Sequence, residues 1–481
     1  MEKYDLKENM LDFIDRQKIL SLIKDEKTPT KEEVRDIIKK SIEVSEALDL
    51  SDVAKLIKVN DKDMLEEIYQ AAADVKKKVY DNRIVTFAPL YASNLCVNNC
   101  LYCGFRRDNK DIIRRTLSQK EIYEEARVLA GDIGHKRLIF VVGEHPASGA
   151  DYIADSLKII YSVKVKTKNG YGQIRRVNVN AAPMSVDDLK KIKAAGIGTF
   201  QVFQETYDKE LYSRLHPKNT PKSDFNYRLY ALHRAFEAGI DDVAIGALFG
   251  LGDWRFEVLG LVQHAKELER IFGIGPHTVS FPRLERASGS ELVGTAVSND
   301  DFKKLVAILR LSIPYSGIIV TCRETPEVIR SIIPFCTQRD ASTKIGIGAY
   351  SERKNSQELN RQQFELGDTR KLDEVIGELA DMGYITSFCT SGYRCGRTGD
   401  HIMKLLKSGV ESRFCKLNAI LTFREWLDDF ASDEVKKKGE KLIEKELDEV
   451  LKDNKRFTPE MKKTLTTYYE KIRSGERDLS F

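Results

Sequence analysis

The sequence predicts an α/β fold, a TIM-type (β/α)8 barrel with a helical N-terminal preface and a mostly helical C-terminal domain. Between Ile84 and Tyr350, eight short apolar runs alternate with amphipathic helical patterns, the order a parallel barrel requires. A cysteine-bearing loop follows the first run, where a doubly wound dinucleotide fold would want a glycine-rich turn. The 481 residues exceed one ordinary domain, but they accommodate a barrel with appendages.

Residues 1–80 are expected to form the helical preface. Thr30-Lys31-Glu32-Glu33 and Ser51-Asp52-Val53-Ala54 look like helix starts, with apolar residues spaced three and four apart behind them. Residues 81–351 would form the barrel, with strands at 84–90, 137–143, 173–180, 199–204, 242–249, 277–282, 317–322 and 343–350. Helical patterns at 118–131, 185–195, 227–238, 255–272 and 300–311 lie between them, and Gly196, Gly239 and Gly273 close three of these. Residues 352–481 would form the C-terminal domain. It begins with a polar stretch at 351–370, then a helix at 371–382, a second cysteine-bearing segment and charged helices, with Lys436-Lys437-Lys438 as a solvated face.

A formal charge of +4 on so long a chain is near balance and points to no nucleic-acid or membrane partner. The start, Met1 to Asp5, lacks a signal-type apolar core, and no apolar run approaches a membrane span. The eight cysteines fall mainly at 96–103 and 389–415, as metal ligands in a reducing compartment would. A cytoplasmic, anaerobic setting is expected.

Cys96, Cys100 and Cys103 stand at C-x3-C-x2-C spacing just after the first strand. Three thiolates on one short loop can hold three corners of a cubane cluster and leave one iron open to an exchangeable ligand. Zinc is the rival, but no fourth thiol or His stands nearby. In such barrels the chemistry sits at the C-terminal ends of the strands. Gly143-Glu144, Gln204-Glu205 and Cys322-Arg323 stand at the ends of strands two, four and seven. A carboxylate there can receive an ammonium group and an arginine can clamp a carboxylate, which suits an amino acid or a cofactor bearing one.

The cysteine loop, with Tyr102 before its last thiol, resembles the radical S-adenosylmethionine signature. That resemblance implies a [4Fe–4S] cluster and S-adenosyl-L-methionine. It places the cofactor against Tyr102, Gly143, Glu144, Asn180, Gln204 and Glu205, with Tyr102 near the adenine and Gly143-Glu144 at the amino end. Longer strings, Arg175 to Ala182, Phe203 to Tyr207, Leu215 to Lys218, Ala238 to Val243, Gly275 to Val279 and Gln363 to Asp368, resemble the tyrosine lyases of [FeFe]-hydrogenase maturation (HydG type). What this implies is cleavage of tyrosine to p-cresol and dehydroglycine, and conversion of the latter to carbon monoxide and cyanide on iron at a second cluster. Arg323 is then expected to bind the tyrosine carboxylate and His277 to ligate iron at the far end of the barrel. A one-electron donor protein and hydrogenase maturation partners are also implied.

Two places depart from the family pattern. The second cluster's C-x2-C-x22-C motif is present at Cys389 and Cys415, but Gly392 stands in the middle position, with Cys395 three residues beyond as the candidate replacement. Cys322 stands where a small residue is expected before the arginine, and the stretch 336–343 stands where a serine- and glycine-rich one is expected, both beside the substrate side. The alternatives are a thiamine-pathway-like lyase on tyrosine or another aromatic amino acid that makes no carbon monoxide or cyanide, and a non-catalytic iron–sulfur scaffold.

Overall fold

The computed structural model describes residues 12–290, 294–352 and 358–481. The reading of Met1 to Asp5, and part of the polar stretch at 351–370, lie outside the described residues.

Arg83–Ser93 (β1) is buried at every position, as a strand covered on both faces should be. It runs parallel to Arg137–Val142 (β2), which pairs in turn with Arg176–Asn180 (β3). Phe200–Gln201 (β4), Val243–Gly246 (β5), Thr278–Ser280 (β6), Gly317–Val320 (β7) and Gln338–Asp340 (β8) continue in chain order. Strand β8 then returns to β1, with Val85 opposite Gln338 and Phe87 opposite Asp340. The eight-stranded parallel barrel is closed. A further strand, Ile385–Ser387 (β9), lies parallel to the first residues of β1, Arg83 to Val85.

The outer helices start where the capping chemistry places them. Thr30 and Ser118 form capping boxes for Lys31–Glu43 and Gln119–Arg127, and Ser185 and Ser298 cap Val186–Ala194 and Asn299–Ser312. Gly196, Gly239 and Gly273 each take positive φ at a helix end. The helix expected from Ser51 begins at Leu50 behind Asp49, and the pattern at 227–238 divides into Phe225–Leu229 and Ala231–Glu237. The preface packs on the barrel's flank, where Leu48 N and Ser41 Oγ donate to the carbonyls of Ser312 and Leu311 at 2.8 and 2.7 Å. Among the described residues, no helix is long and apolar enough to cross a membrane.

Seven expected strands overlap observed ones. The eighth does not: residues 343–350 are largely buried irregular chain ending in turns, with Gly348 at φ +76°, and β8 lies earlier, at Gln338-Arg339-Asp340. Its charged residues hide it from a hydrophobic pattern because their partners are buried with them. Arg339 pairs with Asp368 at 3.0 Å, and Asp340 accepts from Cys322 N at 2.7 Å and Thr343 Oγ1 at 2.9 Å.

The helix Glu411–Asp429 closes the end of the barrel from which β2 and β3 begin. Its Glu425 is fully buried and meets Lys136 at 3.2 Å and Arg175 at 2.9 Å, the residues leading into those strands. Burial alone would raise the Glu425 carboxyl, but Arg175 and Lys136 bring it down to about 2. Because the folded value lies below the ordinary carboxylate range, this stabilisation is present above about pH 4.3 and is lost as pH falls toward 2. Glu425→Gln leaves buried Lys136 without its ion-pair partner and Arg175 with Asp478 alone, and is expected to cost about 3–5 kcal/mol in denaturant unfolding. It should also flatten the acid limb of the stability profile.

Candidate active site

Strand β1 ends at Ser93, and the chain turns across the barrel mouth into the cysteine loop. Arg114 fastens this loop, donating to the carbonyls of Asn94 and Phe105 at 2.8 Å each. Two contacts dock it on the end of β2. Val97 N donates to the carbonyl of Glu144 at 2.8 Å, and Asn98 Nδ2 donates to the Glu144 carboxylate at 2.5 Å. Gly143 is required for this docking, since a Cβ there would lie 2.3 Å from the carbonyl oxygen of Leu95.

One cavity of about 180 Å³ opens at the mouth. Cys96, Cys100, Cys103, Tyr102, Gly143, Glu144, Asn180, Glu205 and Arg323 all line it. Gln204 does not: it is buried behind the wall, donating to the carbonyl of Phe225 at 3.3 Å. The alternation along the extended chain after β4 explains the difference, because it turns Gln204 outward when Glu205 faces the cavity.

Glu205 holds φ +71°, a strained value for a residue with a Cβ. Lys222 Nζ at 2.7 Å and Arg228 Nη2 at 3.4 Å fix its carboxylate there. Burial would raise that carboxyl, but the two cations hold it below its ordinary value. Burial pushes the Cys100 thiol up to about 12 and raises Cys103. Gln363 Nε2 lies 3.6 Å from the Cys103 sulfur and accepts, through Oε1, from the Tyr91 hydroxyl at 3.1 Å. The Tyr102 hydroxyl lies 2.9 Å from His216 Nε2. Arg323 stacks 3.4 Å over the Phe364 ring.

The sequence reading missed Lys222, Arg228, Gln363 and Phe364. Gln363 and Phe364 stood within a quoted string, but only the fold carries that segment back over the mouth. Lys222 and Arg228 sit in a polar stretch and a short helix without a motif, so nothing local marked them.

The donor set suits a cluster with one open iron: three free thiols from one loop, in a cavity with carboxylates and cations beside them. Among the described residues, no three His, Cys, Asp or Glu side chains converge as ligands of a single metal ion.

A second cavity lies at the opposite end of the barrel, lined by His277, Cys389, Cys415, Arg83, Arg397 and Glu411 among others. His277 lies 3.4 Å from Asp242, and burial lowers it to about 4, so its ring is neutral. Arg83 faces both Cys389 and Cys415. Cys395 is not there: it is exposed, its sulfur 3.8 Å from the carbonyl of Phe481. The expected replacement ligand therefore stays outside, because Ser391–Arg394 forms a helical turn that carries it away. Among the described residues only two thiols, Cys389 and Cys415, line this cavity, one short of the three that a cubane with one open iron takes from the protein.

Comparison with known proteins agrees with the geometry. The family model described as the Radical SAM superfamily matches residues 90–265, and the Biotin and Thiamin Synthesis associated domain matches 280–385. A crystal structure of HydG, a maturase of the [FeFe]-hydrogenase, superimposes with a TM-score of 0.91 at 41% identity, covering 98% of this chain and all of that one. HydG from Carboxydothermus hydrogenoformans gives 0.77 at 35% identity, covering 94% and 97%. The 2-iminoacetate synthase of Salmonella typhimurium is 30% identical over 339 residues, 70% of this chain and 85% of that protein.

Gly143→Ala tests the loop docking directly. The added methyl must displace Leu95, so iron retained after anaerobic reconstitution should fall by half or more while the circular dichroism of the barrel is preserved.

Proposed function

The chain belongs to the radical S-adenosylmethionine superfamily, in the branch that holds HydG and the 2-iminoacetate synthases, and from that premise we propose that it is a lyase cutting the Cα–Cβ bond of tyrosine to give p-cresol and dehydroglycine. The observation that carries this reading is the single mouth cavity in which Cys96, Cys100 and Cys103 face Glu144, Glu205 and Arg323. Cys96, Cys100 and Cys103 would hold a [4Fe–4S] cluster. When bound, that cluster supplies an open iron for the amino-acid end of S-adenosylmethionine and the electron that cleaves it to a 5′-deoxyadenosyl radical.

The chain's own residues bind and orient. Asn98 aims the Glu144 carboxylate, which receives the cofactor's ammonium group. Lys222 and Arg228 stand beside it as cations, one of their charges balanced by Glu205. Arg323, flattened on Phe364, presents its guanidinium to the tyrosine carboxylate. The tyrosine amine is then held near the thiol loop, within reach of hydrogen abstraction. Burial of the cavity under Gln363 and Phe364 keeps water from a reactive radical.

The likeness to HydG, 41% identical over 98% of this chain, supports a lyase of the [FeFe]-hydrogenase maturation line. At the second cavity two thiols facing Arg83 give iron no third tie from the protein, so this reading assigns the chain one cubane. A one-electron donor protein is required, and a cytoplasmic, anaerobic setting fits a chain with eight free cysteines.

Reduced, reconstituted protein with the cofactor and tyrosine should yield 5′-deoxyadenosine and p-cresol together. Deoxyadenosine with intact tyrosine would show the substrate assignment to be wrong. Iron should stand at about four per chain, one cubane, and Cys395→Ala should leave it there. A Cβ at Gly392 meets nothing nearer than Arg397 at 3.7 Å, so Gly392→Cys fits sterically. That variant should raise iron toward about eight per chain, two cubanes. About eight in the unaltered protein would refute the single-cluster reading.

A further inference from the structure

Below the mouth, the interior of the barrel holds a second chamber, about 90 Å³, that adjoins the first and shares with it Tyr91, Val141, Asn180, Phe203, Arg323 and Phe364 as walls. Phe87, Ile139 and Ile319 pack together as its apolar floor. A slot walled this way accepts a flat hydrocarbon ring. A plain core would be apolar throughout, and this one is not.

Gln201, on β4, lines the chamber and is 1% exposed. Its Nε2 finds no hydrogen-bond partner among the described residues. Thr321, just beyond β7, also lines the chamber, and its hydroxyl is likewise buried and unpartnered. Asp340, on β8, adds a carboxylate already tied to Cys322 N and Thr343 Oγ1, with lone pairs to spare. A buried amide donor left unsatisfied costs about 1–3 kcal/mol, so a chamber that keeps one is built for a ligand that supplies the acceptor. The set asks for a group that accepts from an amide and donates to an oxygen, on the end of a ring. A phenol hydroxyl does both.

We propose that Gln201 is the residue that selects a hydroxylated ring over a plain one, its Nε2 donating to the phenol oxygen while Thr321 or Asp340 accepts the phenol proton. This rests on the reading of the chain as a lyase on an aromatic amino acid and names the group that makes the substrate tyrosine. Phenylalanine in the same chamber leaves Gln201 unpaired and is rejected for that reason. The selection resides in the barrel interior, apart from Arg323, which handles the carboxylate that both amino acids share.

Binding of p-cresol and of toluene to the full chain, followed by titration calorimetry, reads the chamber without any turnover. The unaltered protein should prefer p-cresol by about tenfold or more, the worth of one satisfied buried donor. Gln201→Leu should bring the ratio near one without weakening toluene, and Gln201→Met serves the same test should the leucine fail to fold. In the loaded enzyme the same variant should lower kcat/KM for tyrosine by about a hundredfold or more and raise it for phenylalanine, which no longer leaves a buried donor unpaired. An unaltered p-cresol preference in Gln201→Leu, or none in the parent protein, overturns the proposal. If the preference depends on Gln201 while tyrosine is not cleaved, the chamber assignment stands and the lyase reading alone fails.

Discussion

The carbonyl of Leu95 occupies the space that a side chain at position 143 would fill, and the mouth of the barrel depends on that close approach. The β1–β2 register carries an irregularity between Tyr91 and Ser93, which brings Ser93 opposite Val142 and delivers the following loop onto Gly143. From there Val97 and Asn98 seize both the backbone and the carboxylate of Glu144. The thiols and the carboxylate are thus placed by one piece of main-chain geometry. A loop held only by side chains would leave three sulfurs free to wander, and a multi-point ligand tolerates displacements of little more than half an ångström.

The two ends of the barrel handle buried charge differently. At the mouth, Glu205 is forced into the left-handed region and clamped by Lys222 and Arg228, so strain and charge pairing serve one carboxylate that faces the cavity. At the opposite end, Arg83, Arg137 and Arg176 each begin a strand, with Asp242 and His277 beside them, and Glu411–Asp429 seals the network with Glu425. Arg83 faces Cys389 and Cys415, where a third thiol would have given cluster iron its remaining tie. The residues that shape this end serve docking and closure, which is how the C-terminal helices can keep their fold while position 392 carries a glycine.

The barrel and its first cysteine loop were legible because both are local signals. Apolar runs report strands, capping residues report helix starts, and thiol spacing reports a shared ligand. Strand β8 was illegible because its residues are charged, and their buried partners, Asp368 for Arg339 and Cys322 and Thr343 for Asp340, lie elsewhere in the chain. The same limit hid Lys222 and Arg228, which mean nothing until the fold brings them to Glu205. Gln204, expected at the cofactor together with Glu205, lies behind the cavity wall instead. Neighbouring residues of an extended chain face opposite ways, so Glu205 reaches the cavity and Gln204 does not. Cys395 was a question of direction too: three residues from the motif position, it leaves a helical turn toward Phe481 and solvent.

The division of the interior into a polar mouth and a ring-sized chamber beneath it bears on how one radical can be aimed. An aromatic amino acid has its reactive amine at one end and most of its binding surface at the other. On the proposed reading, surface buried in the chamber would hold the molecule, while Arg323 and Glu144 would need only to orient charged groups. A ring that seats on Phe87, Ile139 and Ile319 fixes the depth to which the substrate descends, and hence the distance of its amine from the thiol loop. On the proposed reading, the apolar floor of the chamber would therefore set which hydrogen is taken.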